Sequence, residues 1–221
     1  MSVPPAPPMR LGFLGGDSRL VDALAAALAP DHRVDVPDVR SDPWAGPTRD
    51  ALHSFRGTFA AAGRLEAVVL CTWPTASLTV PAAAIAVEEW MKHVEWPIAC
   101  WSNALVAAVE RCADGGSVVV VAELPAALDV AGHLAHVVVA EALTALARSL
   151  ALAEGQRGVR VNVVSTEILT APEQPMGSPP PLRSFPGRAE TEVAGAVRLL
   201  LDPGACGITG TVVRADCGRA W

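Results

Sequence analysis

Residues 10 to 29 read RLGFLGGDSRLVDALAAALA. The first five form an apolar run of strand length, GGDS interrupts it, and LVDALAAALA has the composition and spacing of a helix. Strand, glycine turn and helix in that order make the opening unit of an α/β sheet. A turn that brings backbone N–H groups up to a phosphate needs residues without a Cβ, and the start of the next helix supplies free N–H groups. Gly15 and Gly16 meet that need, whereas Arg19 and Val21 stand at later positions where close approach favours glycine.

The alternation continues along the chain. HRVDV (32–36) reads as a strand ending at Pro37, and PTRDALHSFRGTFAAAG (47–63) as a helix stopped by Gly63. EAVVLCTW (66–73) and SVVVVAE (117–123) are continuous apolar runs, the mark of strands buried on both faces. Between them, PAAAIAVEEWMKHVE (81–95) and WPIACWSNALVAAVERCA (96–113) are helical, and DGG turns the chain. GHLAHVVVAEALTALARSLALAEGQRG (132–158) is a long apolar helix. GVRVNVVST (158–166) is a strand, AETEVAGAVRLLLD (189–202) a helix with an acidic first turn, and TGTVVRAD (209–216) a closing strand. The pattern predicts a single Rossmann-like domain over 10–221, a doubly wound parallel sheet with helices on both faces. Residues 1–9 read as a disordered lead-in, and 172–187 as a proline-rich loop within the domain.

Composition narrows the function classes. The chain has 221 residues, 51% hydrophobic and 18% charged, enough for a substantial core. A net charge of −6 without a Lys/Arg run argues against a nucleic-acid partner. The apolar runs are interrupted before the ~18 residues a membrane span requires, and the start lacks a signal-peptide pattern. A cytoplasmic protein is therefore expected. Cys71, Cys100, Cys112, Cys206 and Cys217 are odd in number and lack C-x-x-C spacing, so they read as buried thiols rather than disulfide partners or zinc ligands. No metal site is expected. Tyrosine is absent altogether.

Three segments together resemble the short-chain dehydrogenase/reductase family, over roughly residues 10 to 218. Residues 13–29 are similar, without a gap, to the family's T-G-x-x-x-G-x-G turn and helix, with Gly15 at the first glycine, Arg19 at the second and Val21 at the third. GVRVNVVSTEI (158–168) resembles the G-I-R-V-N-x-V-x-P-G segment, with Thr166 and Glu167 replacing Pro-Gly. ETEVAGAVRLLLDPGACGITGTVVRADCG (190–218) resembles the family's ending, with Cys217 at a usual glycine.

The resemblance implies a strand-end Ser, a Tyr thirteen residues later, a Lys four beyond, and an Asn on the preceding helix. In that family the Lys lowers the Tyr pKa and holds the cofactor ribose, the Tyr exchanges a proton with the substrate oxygen, and the Ser orients it. Here Glu123 takes the Ser position, His136 the Tyr position and Ala140 the Lys position, and the Asn falls near Glu95, Trp96 or Pro97. Trp73 replaces the last glycine of the family's cofactor strand, and the span from Asp38 to Leu65 is short for the usual third strand. Asp38 lies near the family's ribose-binding acid but reads equally as a solvated turn residue, with Asp35 and Asp42 as available. Arg19 either binds a phosphate or occludes the turn.

Glu123 and His136 carry two readings. A carboxylate beside an imidazole raises the His pKa and orients it for acid–base chemistry; alternatively the two form a structural pair in a vacated pocket. His133 and His93 read as surface residues.

The resemblance also implies oligomers packed through the fourth and fifth helices. The long helix, with Val137, Val138, Val139, Leu143, Leu146 and Leu150, is too apolar for a single buried stripe, and Trp96, Trp101 and Trp221 are interface candidates. The expectation is a non-catalytic homologue binding no cofactor itself, the structural subunit of a hetero-oligomer with an active paralogue, or of a homo-oligomer. The alternative is a divergent enzyme, either NAD(P)-dependent or a cofactor-independent acid–base catalyst using Glu123 and His136. The proline-rich loop offers only Arg183 as a substrate anchor.

Overall fold

Four strands are apolar enough to be covered on both sides, and they form the middle of one sheet. The computed structural model describes residues 8–15, 19–36, 49–61, 63–71, 80–123, 134–166 and 188–216. Its strands are β1 (Arg10–Leu14), β2 (Arg33–Asp35), β3 (Leu65–Cys71), β4 (Cys112–Glu123), β5 (Arg160–Thr166) and β6 (Val212–Arg214). They lie in the order β2-β1-β3-β4-β5-β6, and every neighbouring pair is parallel. The chain therefore reverses its direction of travel across the sheet between β1 and β3, the place where ligands bind in open α/β sheets.

Alternate residues of each central strand feed two separate cores. Val118 and Val120 join Leu14, Leu70, Trp101, Leu105, Leu143 and Val163 on one face. Val119 and Val121 join Phe13, Leu24, Val69, Val164, Val197 and Leu200 on the other. Helices α4 (Trp96–Arg111) and α5 (Leu134–Ala153), with Phe59 of α2 (Arg49–Ala60), cover the first face; α1 (Arg19–Leu28) and α6 (Ala194–Leu201) cover the second.

Several expectations are corrected. The second strand is only three residues long, because β2 is an edge with one neighbour to pair with. The closing strand shrinks to Val212–Arg214, since Gly210 adopts a left-handed turn with φ 68° just before it. Residues 81–95 do not form one helix but a 3₁₀ turn (Ala82–Ala84), a four-residue helix α3 (Val87–Trp90) and a π-helical stretch (Met91–Glu95). The DGG segment is no loop. β4 begins at Cys112 and runs through it with a register shift against β3. Glycine permits this because Gly115 has φ 79° and a Cβ on Gly116 would meet the Glu66 carbonyl oxygen at 2.5 Å.

Trp101 is not an interface anchor but a core residue, 1% exposed, while Trp96 is half-buried. Cys71, Cys100 and Cys112 are buried as expected, but Cys206 is exposed beyond the end of α6. His93 is largely covered and contacts Glu89 at 3.0 Å across one helical turn. Contrary to the expectation for apolar runs, α5 is long and apolar enough to cross a membrane by length and composition. Its placement against the sheet, with Leu143, Ala147 and Ala151 in the core, accounts for that hydrophobicity in part. Residues 1–7, Trp73, Cys217, Trp221 and the 172–187 loop lie outside the described residues.

Candidate functional site

The carboxyl ends of β1 and β3 meet at Gly15. This glycine is buried, and an added Cβ would stand 2.7 Å from Val21 Cγ2, 2.8 Å from the Cys71 carbonyl oxygen and 3.0 Å from Cys71 Cβ. Its bare Cα is thus required by protein packed around it. Val21, 2% exposed, reaches back from the first turns of α1 and joins Leu20 and Leu24 in the core. Cys71, the last residue of β3, is fully buried, and burial pushes its thiol far above the ordinary range. A thiol held protonated in this way is not a nucleophile.

The backbone of Arg19 opens α1. Its side chain, with Gly16, Asp38 and Asp42, lies outside the described residues. Asp35, one of the three acids considered for a ribose, is already engaged: its carboxylate accepts a hydrogen bond from Arg10 Nε at 2.7 Å.

The four positions expected at the catalytic centre come from three elements. Glu123 ends β4, its backbone paired with Thr166 of β5; nothing is described of its side chain. His136 sits half-buried in the first turn of α5, and Ala140 follows one turn later on the same face. The methyl group of Ala140 is 3% exposed. At the Asn position, Glu95 is exposed at the end of the π stretch, Trp96 is half-buried and Pro97 is buried in the first turn of α4. His133, Glu167 and Arg183 lie outside the described residues.

Among the described residues, Ser165, Thr166 and Asp216 are polar residues buried at this end of the sheet. Ser165 lies one residue before the end of β5, and Asp216 lies just beyond β6. The parallel ladder sets Ser165 opposite Arg214, and the Ala215 N–H donates to the Ser165 carbonyl at 2.8 Å. Asp216 was legible only as the acid of the family-like ending, and Ser165 had no signal beyond lying in a buried strand. Among the described residues, no group of three His, Cys, Asp or Glu side chains converges as a metal site would require.

The profile of the enoyl-(acyl carrier protein) reductase family matches residues 21–220. No curated protein matches the chain by sequence. Among solved structures, the chain is similar to a doubly substituted short-chain dehydrogenase/reductase of Serratia marcescens, at 21% identity and a TM-score of 0.73, covering 96% of this chain and 98% of that one. It is similar to a blue fluorescent protein from a metagenomic library, in complex with NADPH, at 20% identity and a TM-score of 0.71, covering 96% and 98%. A dehydrogenase/reductase from Sinorhizobium meliloti matches at 20% identity and a TM-score of 0.70, covering 95% and 94%. At these identities the likeness is one of fold.

Proposed function

Because the chain belongs to the short-chain dehydrogenase/reductase family, we propose that it is a catalytically degenerate member. Its role is that of a non-catalytic structural subunit, in an oligomer with an active paralogue that oxidises or reduces a carbonyl or hydroxyl substrate in the cytoplasm. The observation that carries this reading is Ala140. By the resemblance, Ala140, a methyl group packed to 3% exposure, takes the position at which the family has a lysine that lowers a neighbour's pKa and holds a ribose. His136 one turn before it has no tyrosine substitute anywhere in a chain that lacks tyrosine.

The switch point supports the same conclusion for the cofactor. A pyrophosphate approaches backbone through space that bare glycines leave open. Val21 Cγ2 and the Cys71 carbonyl pack on Gly15, and Arg19 and Val21 stand at positions that the family-like turn gives to glycine, which supports a chain that binds no dinucleotide itself. The apolar excess of α5 supports the oligomer: in its most apolar 18-residue window, of mean hydropathy 1.4, only 39% is buried within the protomer.

Titrating the purified chain with NADH and NADPH, alone and co-expressed with a Ser-Tyr-Lys paralogue from the same source, tests this. No dinucleotide binding by the chain alone and a stable complex with the paralogue are expected. Micromolar affinity with enhanced nicotinamide fluorescence would overturn the reading in favour of an NAD(P)-dependent enzyme. Cofactor-free turnover abolished by His136→Ala would overturn it in favour of acid–base catalysis by Glu123 and His136.

A further inference from the structure

A cavity opens at the amino end of the sheet, across the molecule from Gly15. It lies where the turn between α1 and β2, the residues entering β1 and the end of α6 come together, and it holds about 440 Å³. That is room for a small organic molecule. Its apolar lining is Met9, Leu201 and three prolines, Pro8, Pro30 and Pro203. Proline rings have a fixed φ and little rotamer freedom, so these walls lose little entropy when a ligand enters.

Four polar side chains complete the lining, and the bonds they already make define what remains. Arg198 donates from Nε to Asp31 Oδ2 at 3.3 Å and from its terminal nitrogen to the Ala27 carbonyl, so its charge is tied to the end of α1. Asp202 accepts the Gly204 N–H on Oδ1 at 2.6 Å. Among the described residues, Asp31 Oδ1 and Asp202 Oδ2 have no partner. His32 accepts the Met9 N–H on Nδ1 at 3.5 Å, which leaves a neutral imidazole with its proton on Nε2. Two carboxylates therefore line the cavity against one committed guanidinium. α1 and α6 also end beside it, at Leu28 and Leu201, and a helix C-terminus carries about half a negative charge. Arg160, behind the end of α6, is spent on the Leu200 and Ala205 carbonyls and does not line the cavity.

The sign of the cavity decides its ligand. An anion would meet a negative field, and a neutral apolar molecule would cover two carboxylate oxygens without bonding them. An ammonium on an aliphatic body answers both demands: it brings N–H donors to the open oxygens and carbon to the walls. We infer that this cavity is a binding site for a small aliphatic amine in its protonated form, the ammonium held by Asp31 and Asp202 and the chain laid against Met9, Pro30 and Leu201. The site lies at the opposite end of the sheet from the proposed loss of chemistry and is independent of it.

Met9 supplies the readout. The full chain, with isotope-labelled methionine methyl groups, is titrated by nuclear magnetic resonance at neutral pH and fixed ionic strength with n-hexylammonium chloride, sodium hexanoate and n-hexanol in turn. Met9→Leu assigns the Met9 signal, and exposed Met91 on the π stretch serves as internal control. A saturable shift of Met9 with hexylammonium is expected while Met91 stays in place. Hexanoate should give no such shift, and hexanol should bind roughly tenfold more weakly or worse. Asp31→Asn and Asp202→Asn each keep an accepting oxygen but lose the charge, and each is expected to weaken the amine about fivefold. Should either variant fail to fold, the three probes on the wild type decide alone. Absence of a saturable Met9 shift at millimolar amine would overturn the inference. So would an equal response to hexanoate or hexanol, or folded Asn variants that bind the amine as the wild type does. Turnover of NADPH by the chain would overturn the proposed function and leave this site standing.

Discussion

The two ends of the parallel sheet are built by different means. At the amino end, charged and polar side chains reach backbone carbonyls that the fold leaves open. Arg160 is buried and donates to the Leu200 and Ala205 carbonyls at 2.7 and 3.3 Å, closing the end of α6, with Ser117 Oγ donating to Leu200 as well. Asn162 is fully buried and bridges the chain before β6, donating to the Ile208 carbonyl and accepting from the Thr211 N–H. Arg157 donates to Asp114, Glu154 and the Cys112 and Val109 carbonyls. At the carboxyl end, where a relative would keep its chemistry, the described positions hold Gly15 closed by Val21 and Cys71, and Ala140 closed by packing. The difference teaches that one end of the sheet is held by polar side chains on backbone carbonyls and the other by close apolar packing.

The sharpest way to break that contrast is Asn162→Ala. It strands a half-buried carbonyl and a half-buried N–H, and is expected to cost about 1–3 kcal/mol in urea unfolding with no change in any complex's catalytic constants. A loss under about 1 kcal/mol would mean that the amino end is not the stabilising end. Gly15→Ala addresses the carboxyl end as a packing node. The new Cβ would meet the Cys71 carbonyl at 2.8 Å in a backbone with φ +155°, so a loss of about 1–3 kcal/mol is expected in the absence of any dinucleotide. An unchanged melting temperature would contradict the closed switch point.

The buried thiols give a pH test that spans both ends. Burial pushes Cys100 up to about 12 and Cys112 up to about 11, the latter against the opposing pull of Arg157, Arg160 and Arg64. Both folded values lie above the ordinary thiol value of 9.0, so the unfolded chain releases these protons first. Their contribution is whole below pH 9 and falls as pH rises from 9 towards 11 and 12. Melting temperatures measured from pH 7 to 11 should decline above 9, and Cys100→Ala should flatten part of that decline. A flat profile in the wild type would mean that the thiols are hydrated. The smallest effect is expected from His136→Ala. Half-buried, and under the proposed function without a catalytic role, it should change stability by less than about 1 kcal/mol. A catalytic loss in the purified chain or its complex would show that the carboxyl end is still used.

Legibility followed burial. β1, β3, β4 and β5 were readable because both faces meet a core, which leaves a continuous apolar run in the sequence. β2 and β6 were read too long because edge strands end where pairing ends, and pairing leaves little trace in composition. The π stretch at Met91–Glu95 was invisible to a search for a 3.6-residue period. In the candidate site, Glu123, His136 and Ala140 are assigned by spacing within the resemblance alone. The closure of Gly15 was not, because Cys71 comes from a strand remote in sequence.

The sequence by itself determined the class of fold, the order of the sheet's strands and main helices, and the absence of tyrosine from the chain. These depend on local periodicity and residue identity, which are written along the chain. Only the tertiary structure decided that Gly15 serves packing, that Trp101 belongs to the core, and that Asp35 is held by Arg10. Each of those depends on which surfaces meet across the sheet, and contact between distant segments is set by how the layers close rather than by any one segment's composition.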